Sequence, residues 1–241
     1  STLEETAWFL DVTLDTDKPL VLTGAQRNAS EPDFDGPRNL LNAIRICRCP
    51  EARGMGVMVA LNGHINAARD VRKTHTLDVE TFQSGEWGFV GAVAADRVMF
   101  HRRPMRSLYV PLTGEPLPEV EIVSMYAGAS GRLVDAAVEL GAQGLVIQAV
   151  ASGHVNGAMF EAIDRARARN VPVVIATRIP DGGTRIGYGF AGSTRQLVDS
   201  GAVLSGDLSA WKARILLMLA IQAGLSGVDA LRDLFDTRTG N

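Results

Sequence analysis

The sequence predicts an α/β fold in two lobes, and three observations predict it. Short apolar, β-rich runs alternate with stretches of helical periodicity, first over residues 1–103 and again over 120–241. Between them, residues 104–119 hold four of the chain's ten prolines and little periodicity, the composition of a linker. Apolar residues make up 46% of the 241, enough to fill a core in each lobe.

The first element is a helix. Ser1 and Thr2 each have a glutamate three positions on, Glu4 and Glu5, at the spacing of a capping box, and Leu3, Ala7, Leu10 and Leu14 recur at helical intervals. Helices of alternating folds normally follow a strand, so a helix at this point predicts that a further segment precedes Ser1. "PLVLTGA" is a strand ending near a glycine, followed by the polar loop "QRNASEPDFDG". Asp35, Gly36 and Pro37 open a helix through "PRNLLNAIRICRC", with proline in the first turn, where its missing N–H costs nothing. "GMGVMVAL" is a buried strand that exits into "ARDVRKTHTLDVETFQSGEWG", and "EWGFVGAVAADRVMFHRRP" reads as two strands joined in a hairpin at Ala95 and Asp96.

In the second lobe "VEIVSMYA", "GLVIQAV" and "VPVVIATR" are strands, separated by helices around "SGRLVDAAVELGA" and "GAMFEAIDRARARN". That spacing predicts parallel strands with helical crossovers. A glycine-rich loop over residues 180–192 leads to a helical finish in "STRQLVDSGA", "SAWKARILLMLAIQAG" and "GVDALRDLFDT".

Composition removes several function classes. The 24 basic and 27 acidic residues leave a formal charge of −3 with no long block of either sign, so no footprint for nucleic acid or an anionic membrane surface is present. No window reaches the roughly twenty apolar residues that a membrane span needs, and no signal peptide opens the chain. The two cysteines, Cys47 and Cys49, read as small apolar fillers, and nothing argues for an oxidising compartment. His64, His75, His101 and His154 lie in separate elements without ligand spacing, which argues against a metal site. A small-molecule partner is the expectation.

Two features carry candidate chemistry. "GYGFAG", residues 187–192, spells a dinucleotide-binding pattern, but its preceding strand ends well upstream, whereas that fingerprint needs its glycines in the strand-to-helix turn. Lys73 follows a buried strand, where open α/β sheets bind ligands. By residue type it is either a solvated surface charge or an amine desolvated among Thr74, Thr76 and Asp78, able to take a proton from a hydroxyl nucleophile. His75 is a candidate neighbour.

Several separated motifs, in order, resemble the bacterial-type L-asparaginases. "STLEETAWFLD" is similar to that family's T-D-T-x-E-E-T-A segment, "VLTGAQR" and "DGPRNLLNA" to its V-G-A-x-R and D-G-P-x-N-L, "RDVRKTHTLDVETFQS" to its R-D-V-x-K segment, and "KARILLMLA" to its final core helix. The resemblance implies a flavodoxin-like N-terminal lobe, partial here, and a smaller parallel α/β C-terminal lobe. It implies hydrolysis of asparagine, in some members glutamine, through a threonine nucleophile and a Thr-Lys-Asp relay. No cofactor or metal is implied. Homodimers pairing into tetramers and a cytoplasmic rather than periplasmic setting are expected.

Lys73 falls on the relay lysine, which is expected to accept the nucleophile's proton. Ser1 falls on a substrate-binding aspartate, and Ala25 on an alanine whose backbone faces the substrate amide. The nucleophile itself would lie upstream of Ser1, so the chain alone is expected to turn over little and to associate through open strand edges. Gly128 stands where the family has an asparagine lent to the neighbouring subunit's site. "PDGGTRIGYGFAG" has no carboxylate beyond Asp181 to match the family's C-terminal glutamate.

Overall fold

A computed structural model describes residues 1–105 and 108–236. They form two compact units, Ser1–Tyr109 and Val110–Asn241.

The first unit starts with helix α1, Leu3–Thr13. The expected capping box does not form. Thr2 takes helical φ and ψ (−66°, −4°), so its hydroxyl makes no cap bond, and Glu4 accepts instead from the Lys73 amide at 3.2 Å. Strand β1 is Leu20–Leu22, and helix α2 is Gly36–Arg48, with its proline in the first turn as predicted. Strand β2, Val57–Leu61, is buried throughout. Its side chains divide by period two: Val57, Val59 and Leu61 pack with Ala7 of α1, while Met58 and Ala60 pack with Ile46 of α2. Burial on both faces is why this strand reads as one apolar run.

After β2 the structure departs from the expected path. The chain reverses at Asn62 (φ 49°) and Gly63 (φ 81°) into an antiparallel strand β3, His64–Ala67, with Leu61 opposite His64. Asn-Gly favours this because both residues tolerate positive φ. Two short strands follow, β4 (Arg72–Lys73) and β5 (Phe82–Gln83), paired to each other with Lys73 opposite Phe82. The predicted hairpin is β6, Gly91–Ala94, and β7, Arg97–Phe100, closing through Ala95 and Asp96. The main sheet runs β1-β2-β3-β6-β7; β1 and β2 are parallel and the other neighbours antiparallel. Cys47, expected as an apolar filler, faces solvent, while Cys49 packs against the core.

The second unit is a parallel sheet, as the spacing predicts. Strands β8 (Val120–Ser124), β9 (Gly144–Ala149) and β10 (Val173–Thr177) alternate with helices α3 (Arg132–Glu139) and α4 (Gly157–Ala168). Helix α5, Thr194–Asp199, leads to a strand absent from the expected helical finish, β11, Val203–Leu204. Two residues are too short to show a period. The order is β11-β10-β9-β8, parallel throughout. Leu145, Ile147, Val173 and Ile175 share one face with Val134, Val138, Met159 and Ile163 of α3 and α4. On the opposite face α6, Ala210–Gln222, packs across β8, β9 and β10, and α7, Val228–Phe235, follows it. Among the described residues no helix is long and apolar enough to cross a membrane.

Candidate functional site

The C-terminal end of β1 carries the candidate site. The loop after β1 is fixed by two buried polar side chains at the start of α2, Asp35 and Asn39, 4% and 1% exposed. Asp35 precedes the helix but does not cap it. Its carboxylate turns back to accept the Gln26 amide at 3.1 and 3.2 Å, the Arg27 amide at 3.0 Å and the Asn39 side-chain amide at 2.8 Å. Burial pushes this carboxyl up, but the donors from Arg27, Gln26 and Asn39 together outweigh it and leave its pKa below the ordinary value. Asn39 also donates to the Gly24 carbonyl at 2.9 Å, so the backbone on both sides of Ala25 is pinned while Ala25 itself is exposed.

Lys73 comes to the same loop from β4. It is half-buried, and its Nζ donates to Gln26 Oε1 at 2.8 Å. The Phe82 ring, its cross-strand neighbour, lies with its centroid 5.8 Å from that nitrogen. Gln26 Nε2 in turn donates to the Thr76 carbonyl at 2.6 Å. The sequence left open a lysine desolvated among Thr74, Thr76 and Asp78. Those three residues face solvent, and the amine's partner is the Gln26 carboxamide. The Lys73 strand also follows the β3 hairpin rather than β2 itself, because the Asn62–Gly63 turn intervenes.

The loop between β4 and β5 is held from below. Thr81, fully buried, receives the His75 amide at 2.9 Å, and its carbonyl receives the Thr74 amide at 2.8 Å. His75 is exposed, its Nδ1 accepting from the Leu77 and Asp78 amides at 3.1 and 2.9 Å; it shapes its own turn. Glu80 meets Asn62 Nδ2 at 2.6 Å and His64 Nδ1 at 2.9 Å, and the Asn62 amide donates to Asn39 Oδ1 at 3.0 Å. Asp35, Asn39, Asn62 and Glu80 therefore form one polar chain from the β1 loop to the Lys73 loop. A cleft of about 360 Å³ opens beside it, lined by Arg27, Asp33, Phe34, Asp35, Arg38 and Val79.

Of the three site residues expected from sequence, Lys73 and Ala25 meet at the β1 loop through Gln26. Ser1 is exposed ahead of α1, one turn before Glu4, which holds the Lys73 amide. Gln26, Asn39 and Glu80 escaped sequence reasoning; only the apolar surroundings of "DGPRNLLNA" hinted that an asparagine there is structural. "GYGFAG" sits between β10 and α5 as a mostly exposed loop tied down at its two ends. Gly187 exchanges both backbone hydrogen bonds with the Thr194 hydroxyl, and a Cβ on Gly192 (φ 85°) would lie 2.2 Å from the Val155 carbonyl oxygen. Gly128, φ 80°, lies in the loop after β8.

Residues 1–106 match the family described as Asparaginase, N-terminal, and residues 119–235 match the Glutaminase/Asparaginase C-terminal domain. A probable L-asparaginase of Deinococcus radiodurans is 40% identical over 236 residues, covering 96% of this chain and 71% of the relative. A probable periplasmic L-asparaginase of Haemophilus influenzae is 38% identical, and L-asparaginase 2 of Bacillus subtilis 37%. Each aligns with 91% of this chain, which spans 63% and 58% of their respective lengths. The crystal structure of a probable cytoplasmic L-asparaginase from Campylobacter jejuni superposes with a TM-score of 0.89 at 32% identity, covering 98% of this chain and 76% of that one. With both characteristic domains in order and the fold shared over nearly its whole length, the chain belongs to the asparaginase family.

Proposed function

We propose that the protein is an amidohydrolase that converts L-asparagine, and L-glutamine as a second substrate, to the acid and ammonia. One observation carries this reading: the half-buried Lys73 donates its amine to Gln26 in the loop after β1, whose backbone is pinned on both sides of Ala25. Open sheets bind ligands at that end.

In the proposed reaction a threonine hydroxyl, from a segment preceding Ser1, gives its proton to the Lys73 amine as its oxygen attacks the amide carbon. The tetrahedral adduct collapses, its C–N bond breaks, and the leaving nitrogen takes a proton to depart as ammonia. Water then cleaves the ester, restoring the hydroxyl and releasing the carboxylate. The backbone at Ala25 faces the substrate's side-chain amide. Ser1 lines the α-amino end without a charge, so the enzyme discriminates weakly for the ammonium group. Association into homodimers or tetramers completes the proposal.

The test is ammonia release from asparagine and glutamine, by this chain and by the chain extended through its upstream coding sequence. The reading expects turnover from the extended form, little from the chain alone, and loss of turnover with Lys73→Met. Asparagine binding by calorimetry with no ammonia from either form would replace it with a binding protein on the same scaffold.

A further inference from the structure

We propose that Gln26 is the positioning residue of Lys73: its carboxamide, locked in one orientation by the Thr76 carbonyl, holds the amine over the Phe82 ring without placing a charge beside it. The inference rests on the reading of Lys73 as proton acceptor.

A side-chain amide offers an acceptor at one end and donors at the other. The neighbour that accepts only donors decides which way it points. Here that neighbour is the Thr76 carbonyl, 2.6 Å from Gln26 Nε2. Reversing the amide would set oxygen against oxygen there and N–H against the amine at Lys73. Oε1 is thus committed to Nζ, at 2.8 Å. The bond survives loss of a proton, because a neutral amine still has N–H groups to donate and keeps its lone pair for another direction.

A carboxylate in the same place would favour the cation and oppose proton uptake from a hydroxyl. Glu4, from α1, accepts from the Lys73 main-chain amide at 3.2 Å. From the strand opposite, Phe82 presents its ring 5.8 Å from Nζ. Exposed His75 and Asp78 bond within their own turn. Lys73 thus has its backbone fixed by a carboxylate and its amine fixed by a neutral amide. This division suits a group that must be anchored while it exchanges a proton with a substrate hydroxyl or nucleophile.

The chain has three lysines, Lys18, Lys73 and Lys212, so their side-chain carbon and nitrogen resonances are simple to separate in lysine-labelled protein. Lys73 is assigned by the signal that Lys73→Arg removes. In Gln26→Met the Lys73 signal is expected to move onto that of exposed Lys18, with buried Lys212 unmoved to report an intact fold. In Gln26→Glu, which puts an acceptor in place of the amide's donor end against the Thr76 carbonyl, the Lys73 signal is likewise expected to shift. A Lys73 signal indifferent to Gln26→Met or to Gln26→Glu overturns the inference. In a form that releases ammonia, Gln26→Met should lower kcat about 10- to 100-fold with KM nearly constant, the mark of an interaction used in the transition state. If the lysine signals respond as expected while Lys73→Met leaves ammonia release intact, the clamp stands and the proton-acceptor reading is what fails.

Discussion

The two units apply one architectural idea to different ends. In the second, four parallel strands are sealed between helices by aliphatic residues, and two of its buried polar groups, Ser193 and Thr194, serve a helix start and a loop. In the first, the sheet is mixed, and Asp35, Asn39, Asn62 and Glu80 link the loops around Lys73 into one polar chain. Apolar burial is non-directional and tolerates modest rearrangement, whereas the hydrogen bonds of the chain's buried members, Asp35 and Asn39, are directional and hold one arrangement. The contrast assigns stability to the second unit's packing and loop geometry to the first unit's polar groups.

The largest expected effect tests the chemical half of that contrast. Lys73→Met in a turnover-competent form should reduce ammonia release by about 10²- to 10⁴-fold, with the thermal midpoint little changed because the side chain is half-exposed. A fall in activity matched by a fall in melting temperature would instead make Lys73 a packing residue. On the packing side, Ile147→Ala and Ile175→Ala remove fully buried side chains from the second unit and should cost about 2–5 kcal/mol each in denaturant unfolding. Losses below 1 kcal/mol would mean that this core is looser than its burial indicates.

Asp35→Ala comes next, at about 2–3 kcal/mol, since it strands two backbone amides and the Asn39 side chain. The same residue gives a pH signature. Its folded pKa is depressed, so its contribution is present above the unfolded value, ordinarily 3.8, and is lost as pH falls through the lower folded value. Stability of the first unit should therefore drop below about pH 4, and Asp35→Asn should flatten that slope. An unchanged slope would remove Asp35 from the account. The smallest effect belongs to Asn156→Ala, which deletes the cap that accepts the Met159 amide at 2.8 Å at the start of α4, for about 1 kcal/mol.

Much of the fold was legible because apolar period and turn chemistry are local. β2, β9 and β10 announced themselves as unbroken apolar runs, and Pro37 placed the start of α2. The omissions were β3 and the strands β4, β5 and β11, the last three of two residues each, too short for a period to emerge. Asn62–Gly63 was the available signal for β3. The family motif singled out Lys73, but nothing in the sequence pointed to its hydrogen-bond partner. Gln26 lies 47 positions away, and no spacing rule connects a glutamine in one loop to a lysine in another.

Local patterning therefore decided the α/β class, the parallel second sheet and the start of α2, since each depends on interactions within a few residues. Only the folded chain decided that Glu4 abandons its cap for the Lys73 amide, that Asp35 turns away from its helix to hold Gln26 and Arg27, and that Gln26 meets Lys73. These polar groups have equally good partners nearby in sequence. Burial removes water as the alternative, and the partner chosen is the one that tertiary packing brings within hydrogen-bond reach.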